Sequence, residues 1–486
     1  MFDIIHHYWP HILAIFSFVL GVGAAIHAVM TKNDVRAAIG WVGVSLLSPI
    51  LGAMIYIIFG VNRLSKSEIK LRRQGLNDIV HHRFENYDVD EKIFIKKFAL
   101  FGSAMKQLGD KLSRCDLTTG NQITLLSGGD QAYIAMLDAI DKAKRSILLE
   151  TYIFDNDALG QRFVESLSKA QKRGVSVRVL IDAVGARYSF PSIVRRLRKE
   201  NIHVGVFNGN IVMGLRLPYA NLRTHRKILI VDGEVAFTGG LNIRAAFFSE
   251  YAGKDLAHDT HFKLSGPVVS DIFSVSAEDW SFTTQERLNG PEWEIQTPTL
   301  HPNEGIILRV IPSGPDKTME TNQNMLIGAC SIAQKHIRIR TPYLLPDREL
   351  VSALVTAARR GVQVDIVVPE NNNLRLVNCA MRAQFDQLLV GGCHIWRAKG
   401  TFDHSKLFAV DDIWAYVGSS NLDPRSLRLN FEIDIEAFDH DFSSQINQRI
   451  VSAFDNATDT KLLELKKRPF ISRLIDRIIW LGSPYL

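Results

Sequence analysis

Two stretches of the sequence carry the same polar and glycine residues at the same spacing. The first is THRKILIVDGEVAFTGGLN, from Thr224 to Asn242, and the second is DHSKLFAVDDIWAYVGSSNLD, from Asp403 to Asp423. Five pairs of residues are each separated by 179 positions: His225 and His404, Lys227 and Lys406, Asp232 and Asp411, Gly239 and Gly418, and Asn242 and Asn421. One H-x-K would carry no information, but five fixed positions at one offset indicate a functional motif that has been duplicated.

The spacing of this motif predicts a site for a phosphodiester. Residues i and i+2 of a strand point to the same face, so each histidine projects beside its lysine. Lysine ammonium groups and asparagine amides can hold non-bridging oxygens, and Ser419 can add a hydroxyl in the second half. One neutral imidazole can attack phosphorus while the other, protonated, gives its proton to the leaving oxygen. The intermediate is a phosphohistidine, and no metal is required because the lysines supply the positive charge.

The aspartates and glycines of the motif have a structural interpretation. Asp232 and Asp411 complete the candidate catalytic set, but Asp232-Gly233 resembles a tight hairpin turn. We therefore expect both aspartates to be turn formers or lysine partners, and not participants in the chemistry. Gly239, Gly240 and Gly418 are expected to allow close approach of the backbone.

Alternating strand and helix patterns must position these motifs. SILLETYIF (146–154) and GVSVRVLID (174–182) are matched later by HIRIRTPYLLP (336–346) and GVQVDIVVP (361–369). This β-α-β alternation predicts an α/β fold with two duplicated domains, whose mixed, mostly parallel sheets pack about a pseudo-twofold axis. We place the first domain at 121–290, a Gly- and Pro-containing linker at 291–303 and the second domain at 304–460.

The first 62 residues predict a transmembrane helical hairpin. His11 to Met30 and Ala37 to Val61 contain no formally charged side chain, and each is long enough to cross a bilayer. Residues 63–120 follow as a basic juxtamembrane connector, which begins with Arg63, Lys66, Lys70, Arg72 and Arg73. These cations predict cytoplasmic catalytic domains and contact with anionic headgroups.

The C-terminal segment, 461–486, is amphipathic. One helical face contains Ile471, Leu474, Ile475, Ile478 and Ile479. Two interpretations are open: an interfacial membrane helix, or a helix packed on the catalytic body or in a dimer contact. A homodimer is therefore left open.

Overall composition narrows the class of partner only slightly. The formal net charge of +6 and the isoelectric point near 9.0 suit nucleic acid or an anionic membrane. The four cysteines have spacings of neither a disulfide framework nor a zinc site, so we expect reduced thiols.

At the motif residues the chain resembles the phospholipase D superfamily, which is defined by paired H-x-K-x4-D motifs. Within it the chain is most similar to bacterial cardiolipin synthases with two membrane spans, and the likeness covers nearly the whole sequence. The resemblance implies that His225 is the nucleophile and His404 the general acid/base. It also implies that Glu432 orients His225 and that Asp259 orients His404.

Taken together, these features predict a multi-pass enzyme of the bacterial inner membrane that needs no cofactor. It would transfer a phosphatidyl group from one phosphatidylglycerol to another and release glycerol, in contact with anionic membrane lipids. The alternative is a membrane-bound phospholipase D that hydrolyses glycerophospholipids to phosphatidic acid. A nuclease is disfavoured by the hairpin, so no nucleic-acid partner is expected. A scaffold with a relic fold is disfavoured because both His/Lys pairs are complete.

Overall fold

The computed structural model describes residues 2–32, 34–60, 84–208, 222–316 and 318–483. The chain divides into two compact units. Among the described residues, one unit contains 2–32 and 34–60, and the other contains 84–208, 222–316 and 318–483. Both copies of the motif lie in the second unit, which we call the catalytic unit.

The N-terminal unit is helical. Its elements are α1 (Phe2–Thr31), α2 (Val35–Leu47), α3 (Pro49–Ile55) and a π-helical turn (Tyr56–Gly60). The Tyr8–Thr31 part of α1 is long and apolar enough to cross a membrane. The second expected span is not one helix, because it breaks at Ser48, where φ is −135° and ψ is 76°. Pro49 lacks an N–H and forces the preceding residue out of the helical region. Within the described residues, α1 is therefore the one helix of spanning length.

The catalytic unit contains sixteen strands among its described residues. The strands of the first half are β1 (Thr118–Ser127), β2 (Ser146–Thr151), β3 (Ser176–Asp182), β4 (His203–Phe207), β5 (Arg223–Thr224), β6 (Ile228–Val231), β7 (Val235–Gly239) and β8 (Thr260–Ser265). Those of the second half are β9 (Ile306–Ser313), β10 (His336–Arg340), β11 (Gln363–Pro369), β12 (His394–Ala398), β13 (Leu407–Val410), β14 (Trp414–Gly418), β15 (Asn430–Phe438) and β16 (Ala457–Asp459).

Helices cover the sheet in both halves. The first half has α4 (Glu91–Leu112), α5 (Gly128–Lys142), α6 (Ala158–Lys172), α7 (Ile193–Lys199), α8 (Ser249–Ala252) and α9 (Val268–Thr284). The second half has α10 (Thr321–Ile332), α11 (Arg348–Arg359), α12 (Arg375–Val390), α13 (Pro424–Arg428), α14 (His440–Val451), α15 (Leu462–Lys467) and α16 (Phe470–Leu481). The duplication extends to the helix caps, since Asp157 caps α6 and Asp347 caps α11 through the same N3 hydrogen bond.

The strand order is symmetric about the β1–β9 pair. It runs β4-β3-β2-β6-β7-β8-β1 in the first half and continues β9-β15-β14-β13-β10-β11-β12-β16 in the second. The duplicated α/β fold is thus confirmed, with the two half-sheets joined in one continuous sheet. Among the described strands, parallel pairing is confined to β2-β3-β4, β10-β11-β12 and the short β5–β15 contact. The remainder is antiparallel, because each motif strand returns through a tight hairpin that only antiparallel neighbours can form. The expectation of mostly parallel sheets therefore holds only for the β-α-β core of each half.

The stretch interpreted as a basic connector contributes to the folded body. The α4 side chains Phe94, Phe98 and Met105 are buried, and the Phe94 ring meets Phe438 edge-on at 5.0 Å. β1 also begins within this stretch. The sequence signal was weak because α4 is polar on its other face. The expected cations Arg63 to Arg73 lie outside the described residues. The domain boundaries stay a prediction.

Candidate active site

The motif aspartates shape the hairpins. Asp232 has φ of 55° and Gly233 has φ of 63°, so the chain reverses immediately after β6. The Asp232 carboxylate accepts hydrogen bonds from three consecutive backbone N–H groups at the start of β2, those of Lys144, Arg145 and Ser146, at 2.7–3.0 Å. Asp411 makes the equivalent bonds before β10, with the N–H groups of Gln334, Lys335 and His336. We expected each aspartate to be a turn former or a lysine partner, and the structure supports the turn former for both.

His225 lies where the two halves of the catalytic unit meet. Its backbone N–H donates to the Phe431 carbonyl at 2.8 Å, in register with the parallel β5–β15 contact. The next residue along that strand, Glu432, places its carboxylate 2.9 Å from Nδ1 of His225. With Nδ1 donating to the carboxylate, Nε2 is the nitrogen left for a substrate. Glu432 is fully buried, so water does not compete for this contact.

His404 is held in the same way by the first half. Its backbone N–H donates to the His258 carbonyl at 2.7 Å, and the next residue, Asp259, lies 2.9 Å from Nδ1 through Oδ2. Both histidines therefore contact the carboxylates that the resemblance implied, each across the interface between halves. The Lys406 ammonium lies beside the same ring and donates to the His404 carbonyl.

The middle residue of each H-x-K also ties the halves together. Arg226 points to the opposite face from His225, donates from Nε to the Glu432 carbonyl at 3.0 Å, and pairs with buried Asp279. Ser405, the counterpart of Arg226, lies with its hydroxyl 2.8 Å from that of Thr260, next to Asp259. These contacts join the segment that contains each histidine to the segment of the other half that contains its carboxylate.

Ser419 does not serve the role we expected. Its hydroxyl donates to Glu432 at 2.6 Å and accepts from the Ile433 N–H at 3.0 Å, so the group is fully used inside the protein. The structure thus contradicts a direct phosphate contact and makes Ser419 a support for Glu432. In the first half Gly240 takes this position, and a Cβ there would lie 2.1 Å from Oδ1 of Asp259. Glycine is needed because the shorter carboxylate occupies the space that Ser419 fills in the other half.

The lysines and asparagines line the same buried region. Lys227 donates to the His225 carbonyl, and its ammonium lies 5.6 Å from the centre of the Tyr152 ring. Asn242 accepts the Ile153 N–H through Oδ1 at 3.1 Å, which directs its NH2 group away from that strand. Asn421 is also buried, and its Oδ1 has no partner among the described residues. These groups are disposed to hold a phosphate, although their role stays a prediction.

The charges of the two halves act on one another. Burial lowers the pKa of His225 and of His404, the latter to about 4; the lysine of the same half lowers each pKa further, and the lysine of the opposite half adds to this. Burial also lowers the pKa of Lys227 to about 7, with Lys406 adding repulsion. Burial opposes ionisation of Glu432 and Asp259, but the facing His and Lys charges outweigh it, so both pKa values lie below their ordinary range. The site thus holds ionised carboxylates and resists a further positive charge.

Aromatic side chains around the histidines were missed from the sequence. The Tyr152 ring lies 5.0 Å from the His225 ring, centre to centre. His404 has three aromatic neighbours within 6.5 Å: Phe247, Tyr343 and Phe402. Tyr152 follows the stretch SILLET directly, and Tyr343 follows the matched stretch HIRIRT after Pro342, so the internal repeat held a signal that could have found them.

Comparisons with known proteins decide the family. Residues 136–260 and 326–454 match the family described as cardiolipin synthase, PLD-like domain, and residues 19–60 match a phospholipase D-nuclease N-terminal family. A cardiolipin synthase A of Pseudomonas fluorescens is 31% identical over 99% of both chains. The chain belongs to the cardiolipin synthase family of phospholipase D-like proteins.

Further comparisons agree with this assignment. A cardiolipin synthase of Geobacillus thermodenitrificans is 29% identical over 99% of this chain and 96% of its own. The crystal structure of phosphatidylserine synthase from Haemophilus influenzae shares the fold, with a TM-score of 0.60 and 16% identity, covering 79% of this chain and all of that one. The resemblance seen in the sequence is therefore confirmed. This cardiolipin synthase family member is an enzyme that acts on phospholipids, and helix α1 fits a membrane protein.

Proposed function

We propose that this family member transfers a phosphatidyl group from one phosphatidylglycerol to a second, through a phosphohistidine, and releases glycerol. One observation carries the proposal: His225 contacts Glu432 and His404 contacts Asp259, each across the interface between halves. This arrangement supplies two oriented imidazoles within one buried region, as a two-step displacement needs. Full-length relatives named cardiolipin synthase support the choice of substrate.

In the first step, Nε2 of His225 attacks the phosphorus of one phosphatidylglycerol. The bond from phosphorus to the headgroup glycerol oxygen breaks, and His404 gives its proton to that oxygen. Glycerol leaves, and the phosphatidyl group stays on His225. Glu432 stabilises the positive charge that develops on the attacking ring, as a buried carboxylate on the remote nitrogen does in other nucleophile systems.

In the second step, His404 is neutral and takes a proton from the terminal hydroxyl of another phosphatidylglycerol. That oxygen attacks phosphorus, the phosphorus–nitrogen bond breaks, and cardiolipin forms. His404 is again protonated, so protons balance over the cycle. Asp259 holds the ring in one orientation for both transfers.

Binding of the phosphodiester also sets the protonation of the site. Burial and the two lysines disfavour an imidazolium at either histidine. A phosphodiester anion beside Lys227 and Lys406 offsets their charge, which restores a proton to His404 where it is needed as the acid. The lysines and asparagines then stabilise the charge on the equatorial oxygens.

One experiment tests this function against the hydrolase. The purified full-length protein is incubated with phosphatidylglycerol vesicles in water labelled with oxygen-18, and lipids and glycerol are quantified. Cardiolipin and glycerol in equal amounts, with no label in the lipid phosphate, support the synthase. Phosphatidic acid carrying the label supports a phospholipase D and contradicts the proposal.

The nucleophile is tested separately. Rapid quenching under alkaline conditions preserves a phosphohistidine, and peptide mass spectrometry locates it. We expect phosphatidyl modification at His225 in the His404→Ala protein; it should form slowly, because the leaving glycerol lacks its acid, and persist, because the second transfer lacks its base. Modification at His404 in the His225→Ala protein would reverse the roles.

We further propose a multi-pass protein of the bacterial inner membrane with its catalytic unit in the cytoplasm. The apolar run after Ala37 and the cations that follow it in the sequence support this topology. Accessibility of an introduced cysteine at Asp138 to a membrane-impermeant reagent, in intact and in opened cells, tests the orientation. Labelling in intact cells after outer-membrane permeabilisation would contradict it. A homodimer stays a prediction.

A further inference from the structure

Two equivalent loops expose large apolar side chains to solvent. The first follows β3 and contains Arg187, Tyr188 and Phe190; the second follows β11, contains Asn373 and Leu374, and continues into Arg375 and Leu376 in the first turn of α12. Phe190 is 97% exposed, Tyr188 55% and Leu376 56%. A nearly fully exposed phenylalanine is unfavourable in water, so we expect both loops to contact another apolar surface. We name them the mouth loops.

Each mouth loop borders the histidine of its own half. The Tyr188 ring lies 6.5 Å from that of Tyr152, which lies 5.0 Å from His225. In the second half, the Tyr343 hydroxyl donates to Asn373 Oδ1 at 3.0 Å, and the Tyr343 ring lies 5.8 Å from His404. One tyrosine therefore separates each exposed loop from the imidazole, and the loops flank the approach to the site.

The C-terminal helix α16 presents its apolar face outward. Asp476, on its polar face, is buried and pairs with Arg382 at 3.0 Å and Arg468 at 2.7 Å. The exposed side chains are Phe470, Ile471, Leu474, Ile475, Ile478 and Leu481. This is the reverse of a helix that packs its apolar face on a protein core. Of the interpretations left open by the sequence, packing on the body occurs through Asp476, with Ile479 and Trp480 partly buried against the core, and the other apolar side chains of α16 are not covered by described residues.

Helix α16 packs on α12, the helix that begins at the second mouth loop. α16 contacts α12 through Arg382 and through Asp386, which pairs with Arg477. Leu376, Cys379, Arg382 and Asp386 recur at the three- and four-residue spacing of one helical stripe on α12. Helix α16 thus packs on the same helix whose first turn contains the exposed Leu376.

We propose that the mouth loops and the apolar face of α16 together contact the surface of an anionic bilayer. The charge pattern selects this occupant over a protein: Arg187 and Arg375 stand among the apolar residues of the loops, and Lys466, Lys467 and Arg473 are exposed beside α16. Apolar side chains interspersed with cations are typical of peripheral membrane contact. The inference rests on the proposed function for its consequence, which is that a headgroup reaches His225 and His404 while its acyl chains stay in the bilayer.

Depth of insertion tests the surface independently of catalysis. Full-length protein with Cys379→Ser, which removes the only partly exposed cysteine, receives one new cysteine at Phe190, Leu376 or Leu474 and an environment-sensitive fluorophore. In vesicles containing phosphatidylglycerol, we expect a blue-shifted emission and quenching by spin-labelled acyl chains at all three positions. Ile134→Cys, on α5 and 55% exposed, is the matched control and should be unaffected.

Each result of this experiment has one meaning. Quenching at the three positions and not at Ile134 supports the proposal. Water-like emission at Phe190 and Leu376 in the reconstituted protein overturns the proposal. Equal quenching at Ile134 would show general adsorption to the vesicle and also overturns the proposal. A protein that inserts these positions but makes no cardiolipin would contradict the proposed function and leave the membrane surface standing.

Kinetics provide a second readout. The Phe190→Ser/Leu376→Ser protein should need an about tenfold higher surface concentration of phosphatidylglycerol for half-maximal rate, because two apolar contacts with the bilayer are lost. Its kcat/KM on a short-chain, water-soluble phosphatidylglycerol should match that of the unaltered protein. Equal loss on both substrates would show damage to the site and would count against a membrane role.

Discussion

The imidazole of His225 and the carboxylate of Glu432 lie 2.9 Å apart although 207 residues separate them along the chain. The backbone N–H of His225 also donates to the carbonyl that precedes Glu432, so ring and carboxylate are aligned by the same strand contact. His404 and Asp259 repeat this relationship with the halves exchanged. Neither half of the chain contains a complete site, because each imidazole takes its orienting carboxylate from the other half.

Replacing Glu432 with glutamine should slow the chemical step. An amide retains the shape but cannot stabilise the imidazolium, so we expect kcat to fall by about 10² to 10⁴. KM for phosphatidylglycerol should change little, because Glu432 faces the ring and not the lipid. Steady-state kinetics on mixed micelles provide the measurement.

Glu436→Gln is the matched control for this change. Glu436 is buried on the same strand and accepts from the Trp414 indole at 2.9 Å, far along β15 from His225. Its replacement should lower stability and leave kcat per folded molecule near normal. Equal kcat losses in both variants would mean that Glu432 acts only through the fold.

Alanine at the equivalent positions 240 and 419 should lower kcat to different extents. In Gly240→Ala the new Cβ would meet Oδ1 of Asp259 at 2.1 Å, so the carboxylate must move away from His404. In Ser419→Ala the carboxylate of Glu432 loses one hydrogen bond but meets no clash. We expect roughly a tenfold loss of kcat for Ser419→Ala, the effect of one hydrogen bond to a charged group, and a far larger loss for Gly240→Ala.

Circular dichroism and thermal unfolding would establish that both proteins fold before their rates are compared. A Gly240→Ala enzyme more active than Ser419→Ala would contradict the packing assigned to the two carboxylates.

The motif aspartates should govern stability more than catalysis. Asp232→Ala leaves three backbone N–H groups at the start of β2 without their acceptor, which should cost about 3 kcal/mol or more. The turnover of the protein that remains folded should stay near normal. Chemical denaturation of the detergent-solubilised enzyme, alongside an active-site titration, separates the two quantities.

Asp138→Ala is the control, because Asp138 is an exposed carboxylate whose one ion pair among the described residues is with Lys142 on the surface. It should leave the unfolding midpoint almost unchanged. If Asp232→Ala were as stable as Asp138→Ala but inactive, the aspartate would belong to the chemistry.

Buried His404 should make stability fall in mild acid. Burial lowers its pKa in the folded protein to about 4, whereas an unfolded histidine titrates near about 6.5. Between these values the unfolded chain binds the extra proton, so stability decreases as pH falls through this window and is constant above it. The unfolding midpoint of the unaltered protein should therefore drop more steeply than that of His404→Gln. Parallel curves would show that His404 is protonated in the folded state.

Much of the chemistry was readable because the motif is local. His225, Lys227 and Asp232 lie within one strand and turn, so their common face follows from strand geometry, and the second copy removes chance as an explanation. The α/β class follows from the alternation of short apolar runs with amphipathic stretches. Local spacing also indicated that the aspartates form turns. The structure shows that each also accepts hydrogen bonds from three backbone N–H groups at the start of β2 or β10.

Contacts between distant segments had no such signal. The sequence indicated Ser419 as a phosphate ligand, because nothing in its neighbourhood shows that Glu432 folds back onto its hydroxyl. It indicated a connector where α4 packs, because one apolar stripe within a charged segment acquires meaning only beside Phe438. It indicated an unbroken second span, although Pro49 marked the place where the helix ends.

The sequence by itself predicted which groups do chemistry and determined that they occur twice, because residue type and strand period are local properties. Only the tertiary structure decided that each histidine contacts a carboxylate of the other half. It also decided that Gly240 makes room for Asp259 where Ser419 supports Glu432, and that α16 turns most of its apolar face outward. Those results depend on which surfaces meet when the two halves close around the β1–β9 pair. Packing and burial arise from segments hundreds of residues apart, so no single stretch of the chain encodes them.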